Sequence, residues 1–502
     1  MKYLNKIIIT ILTIVILIFS LNLFIDYGRK TNNNIYNKAK KILPQNFKNF
    51  LTKNIFIFSH TKKLESQLIK YQKLLNSVSR QLKNNEIGYN YIKENGLEFV
   101  KFDKKNLISK NKKDEYELLS FRNIFLLDNG KRAYLETDEE NIFIISGNGL
   151  LYFINIDNLR FNDQTIFFSK IDTNLNQFIG TVTTDTENDG HNNSSDVMGI
   201  KGMKIFNDNI FISYVKEISK DCFTTAILKA EINLNKLDFK EFFSPNQCVK
   251  RYQETGRFYP YLTGGAMDLY KDNKILLSIG EYGYLKNSQN LDSLFGKIIA
   301  IDQDGSHDLI SYGHRNPQGL SYNIIDDVIV NSEHGPSGGD EVNININPDK
   351  LVKNYGWPIS SYGKHDGKNQ GFEDPIKYHR DENLYEYAPL YKSHKDHGFI
   401  EPIKYYIPSI GPAQIIELDK KFTKNNLKNY MLASMGGVLE HGDMSLHVMS
   451  LNKEYNQIID FDIINIHDRV RSLVYLEKIN QIMIFTENNS LIGFLKKIEK
   501  EN

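Results

Sequence analysis

Three turn-rich pieces between Gly313 and Pro358 hold the residues best suited to chemistry. They read Gly313-His314-Arg315-Asn316-Pro317-Gln318-Gly319-Leu320, Glu333-His334-Gly335-Pro336-Ser337-Gly338-Gly339-Asp340-Glu341 and Asn354-Tyr355-Gly356-Trp357-Pro358, and they include the only Trp of the chain. Gly and Pro at this density exclude a helix interior or a central strand. Pro317 biases Asn316, just after Arg315, toward extended backbone. Loops that hold charged side chains on a rigid scaffold are where binding and catalysis concentrate. Well-turned surface loops without such a role fit the same residues.

Further along, Arg469-Val470-Arg471 sets two guanidiniums at i and i+2. On a strand they share one side, where they can clamp a polyanionic ligand or line a solvated face. The stretch Asp185-Thr186-Glu187-Asn188-Asp189-Gly190 and onward to Asp196 spaces oxygen atoms as a calcium loop does, with Gly in sixth place. It lacks the closing Glu, and an acidic, water-exposed loop is the preferred reading. No GxGxxG after a strand, P-loop or HExxH occurs, which disfavours Rossmann, P-loop and zincin chemistry. A net charge of +1 gives no field that would favour nucleic acid.

The elements that must position these residues read as strands. From Asn95-Gly96 onward, apolar runs rich in Ile, Phe, Val and Tyr alternate with turns. Six clusters stand out: Asn141–Asn155, Asn209–Asn233, Lys274–Asp302, Tyr322–Asn347, Asn429–Asn452 and Val474–Phe494. Repeated strand-turn-strand units suggest radial repetition, a β-propeller of about six blades; a β-sandwich pair or a β-helix is the alternative.

Ahead of them, Ile7 to Ile25 is uncharged and long enough, at about 28 Å of helix, to span a bilayer. Lys2 and Lys6 favour a cytoplasmic N-terminus, and no good cleavage site follows. The expectation is an anchor over 1–30 in the cytoplasmic (inner) membrane, crossing once, with the remainder in the periplasm or outside the cell. Residues 31–96 form a linker and an amphipathic helix whose apolar positions, Leu64 to Leu82, follow heptad spacing and offer a possible oligomer contact. Cys222 and Cys248 flank a hairpin; a disulfide and two buried thiols both fit them.

The three turn-rich pieces, in this order and spacing, resemble the glucose/sorbosone dehydrogenase family. The likeness extends more weakly from about residue 97 to the C-terminus, and Pro408-Ser409-Ile410-Gly411-Pro412 resembles that family's later Pro-Ser turn. The resemblance implies an all-β, six-bladed β-propeller over 97–498 that oxidises an aldose, with pyrroloquinoline quinone as hydride acceptor and calcium holding it. Arg315 and Asn316 would then lie against the quinone, Arg469 and Arg471 would pair with its carboxylates, and Gly335 and Pro336 would offer carbonyls to calcium. Asp340 would orient that loop from behind. One departure matters: Leu262 stands where the family carries the His that takes the sugar's proton. Ala266 stands where an Arg is usual, and the Lys expected near Gly436-Gly437-Val438-Leu439 is missing. Tyr261, His334 and His191 are the candidate substitutes. A catalytically inactive propeller that binds a carbohydrate or protein partner is the competing expectation.

Overall fold

Runs such as Ile142-Phe143-Ile144-Ile145 carry apolar residues at consecutive positions, the pattern of a sheet covered on both faces. A computed structural model describes residues 96–123, 132–179, 199–253, 256–336, 338–363, 394–423 and 425–499. The expected membrane anchor, linker and heptad helix lie outside these residues, as do the acidic loop 185–196 and His191. In the described residues, Phe143 and Ile145 enter one apolar core while Ile142 and Ile144 enter another on the opposite face. The strand Ile275–Ile279 divides in the same way, Ile275 and Leu277 to one side and Leu276 to the other. Each such buried side chain stabilises the fold by about 1.5–3 kcal/mol relative to exposure.

Antiparallel pairing builds the sheets in chain order. Ala133–Thr137, Asn141–Ser146, Leu151–Asn155 and Thr165–Thr173 form the first set. Ile200–Phe206, Asn209–Ser219, Cys222–Glu231 and Lys240–Phe243 form the second. Gly264–Leu269, Ile275–Ile279, Lys297–Ile301 and His307–Tyr312 follow as the third. The fourth pairs Pro317–Asn323, Val328–Glu333, Asp340–Ile346 and Lys404–Tyr406, and the fifth runs from Pro412–Leu418 to Ile458–Asn465.

The last set joins the two ends of the described chain. Val470–Leu476, Gln481–Thr486 and Leu491–Ile498 pair in sequence, and Glu115–Arg122 adds to Leu491–Ile498. Gly96–Ile108 then bridges Glu115–Arg122 to Thr165–Thr173, merging the first and last sets into one ten-stranded sheet. The first strand of each set packs on the first strand of the next, and the ring closes from Val470–Leu476 back to Ala133–Thr137. The architecture is all-β, with few helices, and consistent with a β-propeller. Closure of this kind covers sheet faces and leaves few free edges.

The connections place the chemistry. Passing from the outermost strand of one set to the innermost strand of the next, the chain turns at one end of the central axis. Gly313–Asn316 and Arg469 lie on such passages, and His334–Gly339 is the hairpin loop at the same end. Cys222 and Cys248 are joined by a disulfide, where Val249–Lys250 pairs with Cys222–Glu231. No helix among the described residues is long and apolar enough to cross a membrane.

Candidate active site

Arg315 is fixed by its backbone before its side chain acts. Its N–H donates to Glu333 Oε2 at 2.8 Å, and its carbonyl accepts from Glu281 N–H at 2.9 Å. The guanidinium donates to Gly335 O at 2.7 Å and lies 5.4 Å from the Trp357 ring centre, within cation–π range. Asn316 is buried; its Oδ1 accepts from Gly264 N–H at 3.1 Å, tying this turn to the start of the neighbouring inner strand.

The Gly335–Pro336 loop is held from behind by Asp340. One carboxylate oxygen accepts from Gly335 N–H at 2.9 Å and from Ser409 Oγ at 3.2 Å; the other accepts from Ile410 and Gly411 N–H, both at 2.8 Å. Burial nevertheless pushes the Asp340 carboxyl up to about 6. Glycine is required at 335, where a Cβ would sit 2.1 Å from Gly339 O.

Later in the chain, Arg469 and Arg471 share one carboxylate. Arg469 Nε donates to Glu487 Oε2 at 3.0 Å, Arg471 Nε to Glu487 Oε1 at 2.6 Å, and Arg471 Nη1 to Gln318 Oε1 at 3.0 Å. The two side chains therefore do face one way. The guanidiniums hold the Glu487 carboxyl below its usual range against the opposing effect of its burial.

His334 lies in the field of these cations. Its Nε2 is buried without a hydrogen-bond partner among the described residues, and burial, reinforced by Arg315, Arg471, Arg469 and Arg132, pulls the imidazole down to about 3. It is neutral at physiological pH. Behind Arg315, a buried polar chain runs through His314 Nδ1, Glu333, Asn343 Nδ2, Glu341 and His394 Nε2, with contacts of 2.8–3.2 Å.

A model of the glucose/sorbosone dehydrogenase family matches residues 190–492. The chain belongs to this family. Among its family relatives, an uncharacterized protein of Synechocystis sp., slr1608, is 28% identical over 260 residues, covering 47% of this chain and 55% of that protein. The aldose sugar dehydrogenase YliI of Escherichia coli is 31% identical over 156 residues, 26% of this chain and 41% of YliI. The chain thus spans about half or less of the curated relatives it matches. The PQQ-bound aldose sugar dehydrogenase of Streptomyces coelicolor shares the fold, with a TM-score of 0.50 at 16% identity over 74% of this chain and 95% of that one.

The segment expected from the resemblance to carry proton transfer is Tyr259–Ala266. Leu262 sits in the turn leading to Gly264–Leu269, its carbonyl accepting from Tyr282 N–H at 2.9 Å. Tyr261 is exposed, with the Arg132 guanidinium 5.7 Å from its ring centre. Sequence reasoning missed Glu487, Arg132 and Lys201. Lys201 is buried, donates from Nζ to Pro260 O at 3.1 Å, and lines a channel cavity of about 50 Å³ together with Arg132, Gln318 and Arg471. Only proximity in the closed ring brings these residues together, because their positions span Arg132 to Glu487 and follow no local motif. At Gly436–Gly437 the carboxyl group of Asp443 packs against Gly436.

Proposed function

We propose that this chain is a six-bladed quinoprotein oxidoreductase that oxidises an aldose or related sugar. The observation that carries the reading is the set of guanidiniums at one end of the ring: Arg315 donates to the Gly335 carbonyl, and Arg471 reaches Gln318, in the same turn-rich piece as Arg315, while sharing Glu487 with Arg469. The donor set fits a planar polycarboxylate: guanidiniums bind carboxylates bidentately, and buried Nε2 of His334 is a polar atom without a partner among the described residues. Pyrroloquinoline quinone, when bound, supplies the acceptor for the sugar's hydride. Calcium would be held by the Gly335 and Pro336 carbonyls, hard oxygen ligands on a loop that Asp340 keeps in place, and would displace the Arg315 guanidinium that donates to the Gly335 carbonyl here.

The protein's own contribution is orientation and charge. Arg315, packed on the Trp357 ring, would stabilise the negative charge that grows on such an acceptor. Glu487 pre-sets the spacing of Arg469 and Arg471 and offsets part of their charge. Leu262 cannot take the sugar's hydroxyl proton. Tyr261, exposed beside Arg132, is the candidate substitute at that side of the mouth, while His334, at about 3, is a weak base. Leu262 also supports a second reading, an inactive propeller that binds a carbohydrate or protein partner.

We place the propeller outside the cytoplasmic membrane, anchored through Ile7–Ile25; the Cys222–Cys248 disulfide supports an oxidising compartment. The test is titration of the full chain with pyrroloquinoline quinone and calcium while an aldose panel is added. Binding with bleaching of the cofactor absorbance is expected. Binding without reduction by any aldose would favour the second reading, and no binding would overturn the quinoprotein assignment.

A further inference from the structure

Lys297 is wholly buried at the start of the strand Lys297–Ile301, close to the site yet touching none of its ligand-facing residues. Its ammonium donates to three backbone carbonyls: Asn287 O at 2.7 Å, Phe295 O at 2.9 Å and Ser288 O at 3.0 Å. Three donors meeting three acceptors satisfies the ammonium completely. No carboxylate acts on it among the described residues, and burial pulls its pKa down to about 7. A positive charge enclosed by carbonyl oxygens is the arrangement that protein backbones offer a bound monovalent cation.

The caged segment reaches both of the turn-rich pieces that carry the site. Ser288 O also accepts from Gly313 N–H at 3.0 Å, and Ser288 Oγ donates to His314 O at 2.9 Å. The next residue, Gln289, donates from Nε2 to Trp357 O at 2.7 Å and exchanges hydrogen bonds with the Asn354 side chain. Trp357 in turn donates from Nε1 to Glu281 at 2.6 Å and carries the Arg315 guanidinium on its face. We infer that the Lys297 ammonium is a built-in cation whose three-carbonyl cage positions Trp357 and Arg315, making Lys297 a positioning residue for the site. The significance of Arg315 rests on the quinoprotein reading; the cage itself does not.

Trp357 is the chain's only Trp, so its fluorescence reports this position alone. The full chain and its Lys297→Ala and Lys297→Met variants are compared in potassium chloride and in choline chloride at matched ionic strength. Potassium is close to ammonium in size and binds carbonyl oxygens, whereas choline is too bulky to enter the cage. The unsubstituted protein should show the same Trp357 emission in both salts. Lys297→Ala should shift the emission and weaken quinone binding about tenfold in choline, with both recovering in potassium. Lys297→Met, which fills the space without charge, should remain shifted in both. A Lys297→Ala emission unchanged in choline would overturn the inference, and so would a shift, or a failure to fold, that potassium does not reverse. If the unsubstituted protein binds no quinone, the functional reading fails while the emission test still decides the cage.

Discussion

The two sides of the channel mouth are built differently. On the side of Arg315, Gly335 and Arg469–Arg471, every functional group is backed by a buried polar partner: Glu333 behind Arg315, Asp340 behind Gly335, and Glu487 between the two arginines. On the side of Tyr259–Ala266, the turn is held by backbone hydrogen bonds, Leu262 N–H to Tyr259 O and Tyr282 N–H to Leu262 O, and the side chain at 262 is aliphatic. The first side is organised to hold charge. The second keeps the path of the chain but no group that readily exchanges a proton. On the proposed reading, binding and proton transfer would thus be separable, because different elements would carry them and different forces fix those elements.

The sharpest way to break the polar side is Glu333→Ala. This carboxylate accepts from His314 Nδ1, Arg315 N–H and Asn343 Nδ2, and its loss strands all three donors in the interior. Removing one partner of a buried charged network costs about 3–5 kcal/mol. Urea unfolding should show a loss of that order; a loss below about 1 kcal/mol would mean that the network contributes little beyond packing. The apolar side offers the converse experiment. Leu262→His introduces an imidazole on a turn already fixed by its backbone, and general-base catalysis is worth about 100-fold or more in rate. Turnover with an aldose should rise accordingly in the quinone-loaded protein. Unchanged turnover would show that the missing base is not what limits the site.

Arg471→Ala sharpens the contrast more gently. It leaves Glu487 with Arg469 as partner and removes the donor to Gln318, so a carboxylate ligand would lose one charge-assisted anchor, worth about 1.5–3 kcal/mol. Quinone affinity should fall about 10- to 100-fold with little change in binding stoichiometry. Equal affinity would place the ligand's carboxylates elsewhere.

Much of the polar side was legible from residue types, since Gly335, Arg315 and the Arg469–Arg471 pair occupy short local motifs whose backbone demands are visible in sequence. The sheets were legible too: each of the six apolar clusters falls within one set of paired strands, because a sheet covered on both faces needs consecutive apolar residues. Glu487, Arg132 and Lys201 were not legible. Each is an isolated charged residue in or next to a strand, indistinguishable from a solvated one until the ring packs Ala133–Thr137 between Val470–Leu476 and Ile200–Phe206. The clamp's counter-charge is therefore a tertiary fact, as is the cation cage around Lys297, whose acceptors are backbone carbonyls that no sequence pattern marks.

The smallest effect concerns two buried histidines that differ in partner. His394 Nε2 donates to Glu341 Oε1 at 2.9 Å, and that carboxylate raises the imidazole pKa against the opposing effect of burial. Among the described residues His447 hydrogen-bonds only the Gly442 carbonyl, at 2.7 Å, and burial lowers its pKa to about 4. A group raised in the folded state contributes stability below its unfolded pKa of about 6.5, lost as pH rises through the folded value. His447 does the reverse: its contribution is complete above about 6.5 and is lost as pH falls toward 4, because the unfolded chain takes up the proton first. The slope from one such group reaches about 1.4 kcal/mol per pH unit. His447→Asn should therefore flatten the fall in unfolding free energy between pH 6.5 and 4 by up to that amount per unit. His394→Asn should leave the acid limb unchanged and act only at higher pH. Parallel acid limbs for the His447 variant and the unsubstituted protein would mean that His447 is already charged in the folded state, and the distinction between a carboxylate and a carbonyl partner would fail.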